Sequence, residues 1–298
     1  IVYKNIVYGV FMLKIYKNKL EVCMLRVLVD SGSSIKFAEQ EKLNVEIIPL
    51  RYLMGEIEYR DGLDETIDEF YQLLIGQKIF PQTSLPQLDE LQSKVASYAE
   101  AGDDVIIITI SSKISGTYNA ICKLFEGEEK VHVVDSLSAV GGLRLIVEEI
   151  NRNRDLPIEQ ILQKVQAIIP KIRVIAIPET LEYLFRGGRL SRKEWLFGSI
   201  LNLKPLITIT DGQVKVASKK IGLRLAMREC ADMLKRWNCD VNYPIVPSYT
   251  YNVENLVKLI EVTDEQYRPA MIEYDNLCPV IACHWGPNAF GFIFVSKD

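Results

Sequence analysis

Val105 to Ile110 reads Val-Ile-Ile-Ile-Thr-Ile, too β-branched and too uniformly apolar for a strand with one wet face. A run of this kind belongs in the middle of a parallel sheet that is covered on both sides. Its carboxyl end opens into Ser111-Ser112-Lys113-Ile114-Ser115-Gly116-Thr117, and a helical stripe through Ala120, Ile121 and Leu124 follows. The same succession occurs twice more. Leu25 to Val29 ends in Asp30-Ser31-Gly32-Ser33-Ser34, and Val131 to Val134 ends in Asp135-Ser136 ahead of Gly141-Gly142 and a helix over Leu143 to Ile150. A chain that alternates in this way predicts an α/β fold, its first sheet mainly parallel and flanked by helices. In such sheets ligands bind in the crevice beyond the carboxyl ends of the strands, where these hydroxyl-rich turns converge.

Around that frame the spacing predicts a short strand over Val45 to Pro49 and a helix through Ile67, Phe70, Tyr71 and Leu74. Thr83-Ser84-Leu85-Pro86 reads as a hydroxyl cap with proline in the first turn of a helix whose stripe is Leu88, Leu91, Val95 and Tyr98, stopped by Gly102. A linker at Asn151 to Pro157 and a helix through Ile161, Val165 and Ile168 lead to a strand over Arg173 to Ile177. A hairpin at Asp211-Gly212, helices over Leu223 to Trp237 and Val253 to Ile260, a strand near Ile245 and closing strands over Val280 to Cys283 and Phe290 to Val295 make a second α/β unit with a mixed sheet. The length of 298 residues suits two domains, 25–172 and 173–298, at roughly 100 to 200 residues each. Residues 1–24 differ from the rest, with Lys4, Lys14, Lys17 and Lys19 against Glu21 alone. They read as a membrane-surface segment or, preferably, as an amino-terminal extension ahead of a working start at Met24.

The formal net charge of −4 argues against a polyanion-binding surface and hence against nucleic acid as a partner. No apolar run approaches the roughly 18 to 20 residues that cross a bilayer. The six cysteines are dispersed, as free thiols of a cytoplasmic protein would be. Cys278, Cys283 and His284 lack a Cys-x-x-Cys pair and a fourth ligand, so no metal site is expected.

Two histidines could act as bases. His132 lies inside an apolar strand and reads as a satisfied core residue, whereas His284 precedes Trp285-Gly286-Pro287-Asn288, a turn in which Asn can be left-handed, and so faces a cleft. A Ser-His-Asp hydrolase can be assembled on paper from Ser115, His284 and Asp135. Yet there is no Gly-x-Ser-x-Gly elbow, and Ser31, Ser115 and Ser136 serve equally well as caps. Neither nucleotide-binding glycine loop is present, and no cofactor is implied. In Gly187-Gly188-Arg189 the glycines permit close backbone approach and the guanidinium offers a fork for carboxylate or phosphate, the alternative being a helix cap with a solvated arginine. Hydroxyls, one Arg and one His on an otherwise apolar frame describe a site for an anion-headed, apolar ligand.

Taken in order, Thr83-Ser84-Leu85-Pro86, Ile114 to Ala120, Val134-Asp135-Ser136, Leu181 to Ser191, Leu201 to Pro205 and His284-Trp285-Gly286-Pro287 resemble the DegV family over Leu25 to Asp298. The resemblance implies two α/β domains with a ligand tunnel between or near them, one bound long-chain fatty acid, and no catalytic machinery. It further implies a role as the lipid-binding subunit of a bacterial fatty acid kinase. The ATP-binding kinase subunit, a separate partner, would form an acyl phosphate for phospholipid synthesis. Carried onto this sequence, it places the fatty acid carboxylate against Thr83 and Ser115, with Ser84, Thr117, Gly188, Arg189 and His284 near the head group or facing the partner. Two residues depart from the family pattern. Gln87 stands where a small hydroxyl residue is common, and Asn288 replaces a frequent glycine.

Overall fold

The computed structural model describes residues 24–76, 79–198 and 202–298, and the reading of residues 1–23 lies outside the described residues. From the amino-terminal side the elements are β1 (Leu25–Asp30), α1 (Gln40–Leu43), β2 (Glu46–Ile48), β3 (Arg51–Met54), β4 (Ile57–Arg60), α2 (Ile67–Gly76) and β5 (Gln82–Ser84). Helices and strands then alternate through α3 (Leu88–Glu100), β6 (Asp104–Thr109), α4 (Thr117–Leu124), β7 (Val131–Asp135), α5 (Gly141–Arg152) and α6 (Ile158–Ile168). The order β2-β1-β6-β7 forms one sheet, parallel throughout, with β6 in its interior as its composition requires.

Side chains of a strand alternate between faces, and here both faces are dry. Leu28, Val105 and Ile107 pack under Leu91 and Val95 of α3 and Ile121 of α4. Val27, Val29, Ile106 and Ile108 point the other way, into a cluster that also takes Leu143, Ile146 and Ile150 of α5. Nearly all of α5 is buried, because a second sheet covers its far side.

That second sheet is built from β8 (Ile172–Ile177), β9 (Leu203–Thr210), β10 (Gln213–Ile221), β11 (Val246–Tyr249), β12 (Asp275–Asn276) and β13 (Phe290–Val295). Its order is β10-β9-β8-β13-β11-β12, antiparallel except for the β11–β12 pair. Between its strands run α7 (Glu182–Arg186), α8 (Arg192–Gly198), α9 (Leu223–Arg236), α10 (Glu254–Val262) and α11 (Pro279–Trp285). Phe290, Phe292 and Phe294 of β13 face α9 and α10, whereas Ile293 and Val295 join the cluster that reaches β1 and β6. One apolar layer therefore runs from the first sheet to the second. The hairpin expected at Asp211-Gly212 joins β9 to β10, both residues at positive φ (51° and 77°) as a two-residue turn of the primed kind demands.

Three readings of the sequence need correction. Val280 to Cys283 is not a strand but lies in α11, with Pro279 in the first turn, where its missing N–H costs nothing. The segment is covered on nearly all sides, so its apolar run carries no helical stripe, and a short run of that kind fits strand and helix equally. Thr83 and Ser84 do not cap α3; they lie in β5, paired with β3, and α3 starts only at Leu88 after an extended Gln87. The third is an omission: β3 and β4 form a hairpin, and with β5 a small antiparallel sheet, against which α2 and α11 pack. Its signal was Gly55, at φ 67°, in the first of two loop positions.

Candidate functional site

The carboxyl end of β6, β5, the β9–β10 hairpin, the α7 region and α11 enclose a cavity of about 550 Å3 of atom-free space, counted out to its mouth. It is a slot, since only about 50 Å3 admits the centre of a water molecule. Ile110, Ile114, Leu184, Ile209, Val214 and Ile281 supply much of an aliphatic wall. Thr83, Ser84, Ser115, Arg189 and His284 are the polar side chains in it, brought together from four separate parts of the chain.

Each is held by local structure. Ser115 stands in a tight turn after β6, its N–H donating to the Ser111 carbonyl at 3.0 Å. Its hydroxyl lies 2.9 Å from that of Thr117, which is itself buried and turned away from the cavity. Thr83 projects from β5 with its hydroxyl 3.0 Å from Nε2 of His284, which occupies the last turn of α11. The other ring nitrogen, Nδ1, is buried without a hydrogen-bond partner. Desolvation, aided by the nearby positive charge of Arg189, lowers the imidazole pKa to about 3, so the ring is neutral in the resting protein.

Arg189 is half-buried and, among the described residues, bonds only to backbone, Nε donating to the Ile114 carbonyl at 2.9 Å and Nη1 to the Gly187 carbonyl. Burial lowers its pKa, and among the described residues no carboxylate pairs with it. A buried cation without a counter-charge is costly, and an anion arriving in the cavity would relieve that cost. The cap reading of this segment holds for Gly187, which ends α7, but the arginine is not solvated. Gly188, at φ 75°, lies outside the cavity wall.

Two glycines set the spacing of α7 and α11. A methyl group on Gly187 would overlap Nδ1 of His284, and one on Gly286 would overlap the Tyr183 ring. Each helix thus seats a ring on a bare backbone position of the other.

The paper triad is not assembled. His284 bonds Thr83 rather than Ser115, and Asp135 spends one carboxylate oxygen on the N–H groups of Ser112 and Leu137, both at 3.0 Å. Other hydroxyls of these turns are spent internally: Ser111 donates to the Gly212 carbonyl at 2.8 Å and Ser136 to that of Ser138 at 3.1 Å. His132 is half-buried on β7 with Nε2 unpartnered, not the satisfied core residue expected, and lies away from the cavity. Gln87 also lies off the cavity, and Asn288 adopts φ 61° as a glycine substitute there must. Among the described residues no three His, Cys, Asp or Glu side chains gather as metal ligands, and no helix is long and apolar enough to cross a membrane. Sequence reasoning missed Trp285, which sits in the cavity wall beside His284.

Two sheets sharing an apolar layer, with one slot whose polar groups are neutral donors and a single cation, define an α/β protein able to enclose an apolar molecule with one anionic end. The chain belongs to the DegV family: the family described as "Uncharacterised protein, DegV family" matches residues 24–297. A DegV domain-containing protein of Caldanaerobacter subterraneus is 31% identical over 279 residues, covering 92% of this chain and 99% of the relative. Among solved structures, the chain is similar to one described as fatty acid binding of a DegV family protein from Thermus thermophilus, with TM-score 0.80, 26% identity, and coverage of 92% and 99% of the two chains. It is also similar to a stearic acid-binding protein from Eubacterium ventriosum, with TM-score 0.79, 26% identity and the same coverage, 92% and 99%.

Proposed function

We propose that this protein binds one long-chain fatty acid in the slot, its carboxylate against the hydroxyls of Thr83 and Ser115 and its tail among the aliphatic walls. The observation that carries the reading is the half-buried, acid-free Arg189 with a neutral His284 and the hydroxyls of Thr83, Ser84 and Ser115 in an otherwise apolar cavity. Hydroxyl donors and a cation suit a carboxylate, and each buried methylene adds roughly 0.8 kcal/mol. The named ligands of the similar solved structures point the same way.

The finer part of the proposal is that the bound acid is presented to a separate ATP-dependent kinase subunit for acyl phosphate formation. Neither a phosphate-cradling loop nor a carboxylate pair for a nucleotide-bound metal is written in this sequence, so the phosphoryl donor must come from a partner. Ser84, which is exposed, and Arg189, which is half-buried, would then meet that partner. Mass spectrometry of a solvent extract of the purified protein tests the first part, with about one acyl chain per molecule expected; a folded, lipid-free sample that takes up no fatty acid would overturn it. Acyl phosphate formation with ATP and a kinase subunit tests the second. Arg189→Ala should lower that rate more than it lowers lipid retention, because a cation there would meet the oxygens of the transferring phosphoryl group as well as the carboxylate. Turnover of ATP by the isolated chain would sink the presenter role.

A further inference from the structure

A second cavity, of about 290 Å3 of atom-free space counted out to its mouth, about 20 Å3 of which admits the centre of a water molecule, lies between α11 and the face of β8 and β13. Val140, Val174, Leu277, Ala289 and Ile293 line it, and the buried Ser248 is the one hydroxyl in its wall. Among the described residues Trp285, 5% exposed, is the single side chain that lines both this cavity and the head-group slot. The opposite side of the partition is equally thin in sequence: Ala139 faces the slot and Val140 the second cavity. Val140 is held at φ 50° and ψ −138°, a conformation in which a β-branched residue is strained, and strain of this kind collects at ligand sites.

We propose that Trp285 is the chain-length discriminator of this protein. The inference rests on the fatty acid reading above. A chain short enough to end in the slot leaves the indole in place, whereas a longer one runs into the second cavity only by displacing it. Each further methylene buried multiplies affinity by about four. In the wild type that increment is offset where the chain reaches Trp285, because the indole must give up its own packing.

The test compares binding of octanoate and hexadecanoate to the delipidated full chain in the wild type, Trp285→Ala and Val140→Gly. The preference for hexadecanoate over octanoate should rise at least tenfold (~10) in Trp285→Ala by that increment. It should rise by a smaller factor in Val140→Gly, a variant that also relieves the backbone and so keeps the fold. In the wild type, hexadecanoate should shift tryptophan emission and octanoate should not, and Trp285→Phe should abolish the shift. An unchanged preference in both variants, or equal emission shifts with the two acids, would overturn the role of Trp285 while leaving fatty acid binding standing. Failure of both acids to bind the wild type would overturn both.

Discussion

The turns after β1 and β6 are neighbours and nearly alike in composition, yet their hydroxyls have opposite fates. In the first, Ser31 accepts the Leu50 N–H at 3.0 Å, Ser33 accepts that of Ile35 at 3.2 Å, and Ser34 contacts the Cys278 thiol at 3.5 Å, so every hydroxyl is spent inside the protein. The second spends Ser111 in the same way but leaves Ser115 facing the cavity. The first also carries a fully buried carboxylate, Asp30, which accepts the N–H groups of Gly32 at 3.0 Å and of Ile110 at 2.7 Å. Serine content thus marks a strand-to-helix turn; only the partners of each hydroxyl tell a structural turn from a binding one.

The strongest test of this contrast is Asp30→Ala. Two buried N–H groups would lose their acceptor, at roughly 1 to 3 kcal/mol each. Urea denaturation should therefore show a loss of about 2 to 6 kcal/mol, with lipid bound per folded molecule unchanged; a loss under about 1 kcal/mol would erase the distinction between the turns.

A smaller effect should appear with pH. Burial raises Asp30 to about 7 and the equally buried Asp61 to about 6, against about 3.9 in an unfolded chain. The folded state therefore binds more protons between those values. The stabilisation is complete in acid below the unfolded pKa and is lost as pH rises through 6 to 7. From pH ~5 to ~8 the wild type should lose roughly 2 kcal/mol relative to Asp30→Asn, which cannot ionise. Parallel pH curves for the two proteins would contradict the buried-carboxylate account.

The binding turn, taken with Thr83 of β5, gives the smallest change and the opposite pattern. Thr83→Ala combined with Ser115→Ala should weaken fatty acid binding at least tenfold (~10), as loss of donors to a charged group does. The urea midpoint should barely move. Full affinity in a folded double variant would show that the second turn is as structural as the first.

How far the fold was legible follows from the same physics. β6, the turn after it and the β9–β10 hairpin announce themselves because β-branching, hydroxyl clusters and an Asp-Gly pair act locally. α11 does not, since an element wrapped by neighbours on all sides carries no stripe. The four-residue β3 and β4 are too short for alternation to register beside Arg51, Glu58 and Arg60. Of the site, Ser115, Arg189 and His284 were reached from their local sequence, and Thr83 only through the family resemblance. Their arrangement was not, because the Thr83–His284 contact joins residues 201 positions apart. Trp285 was passed over because a large apolar side chain reads as core until a cavity is seen on either side of it.

The reciprocal seating of His284 on Gly187 and of Tyr183 on Gly286 constrains how this protein can drift over generations. A single base change that gives Gly286 a side chain evicts the Tyr183 ring, and one at Gly187 evicts the imidazole. Either is retained only in a lineage that has already reduced the opposing ring. The route through sequence space is thus ordered, ring first and glycine second. Because Arg189 and His284 each lie two residues from one of these glycines, their spacing is inherited as a unit.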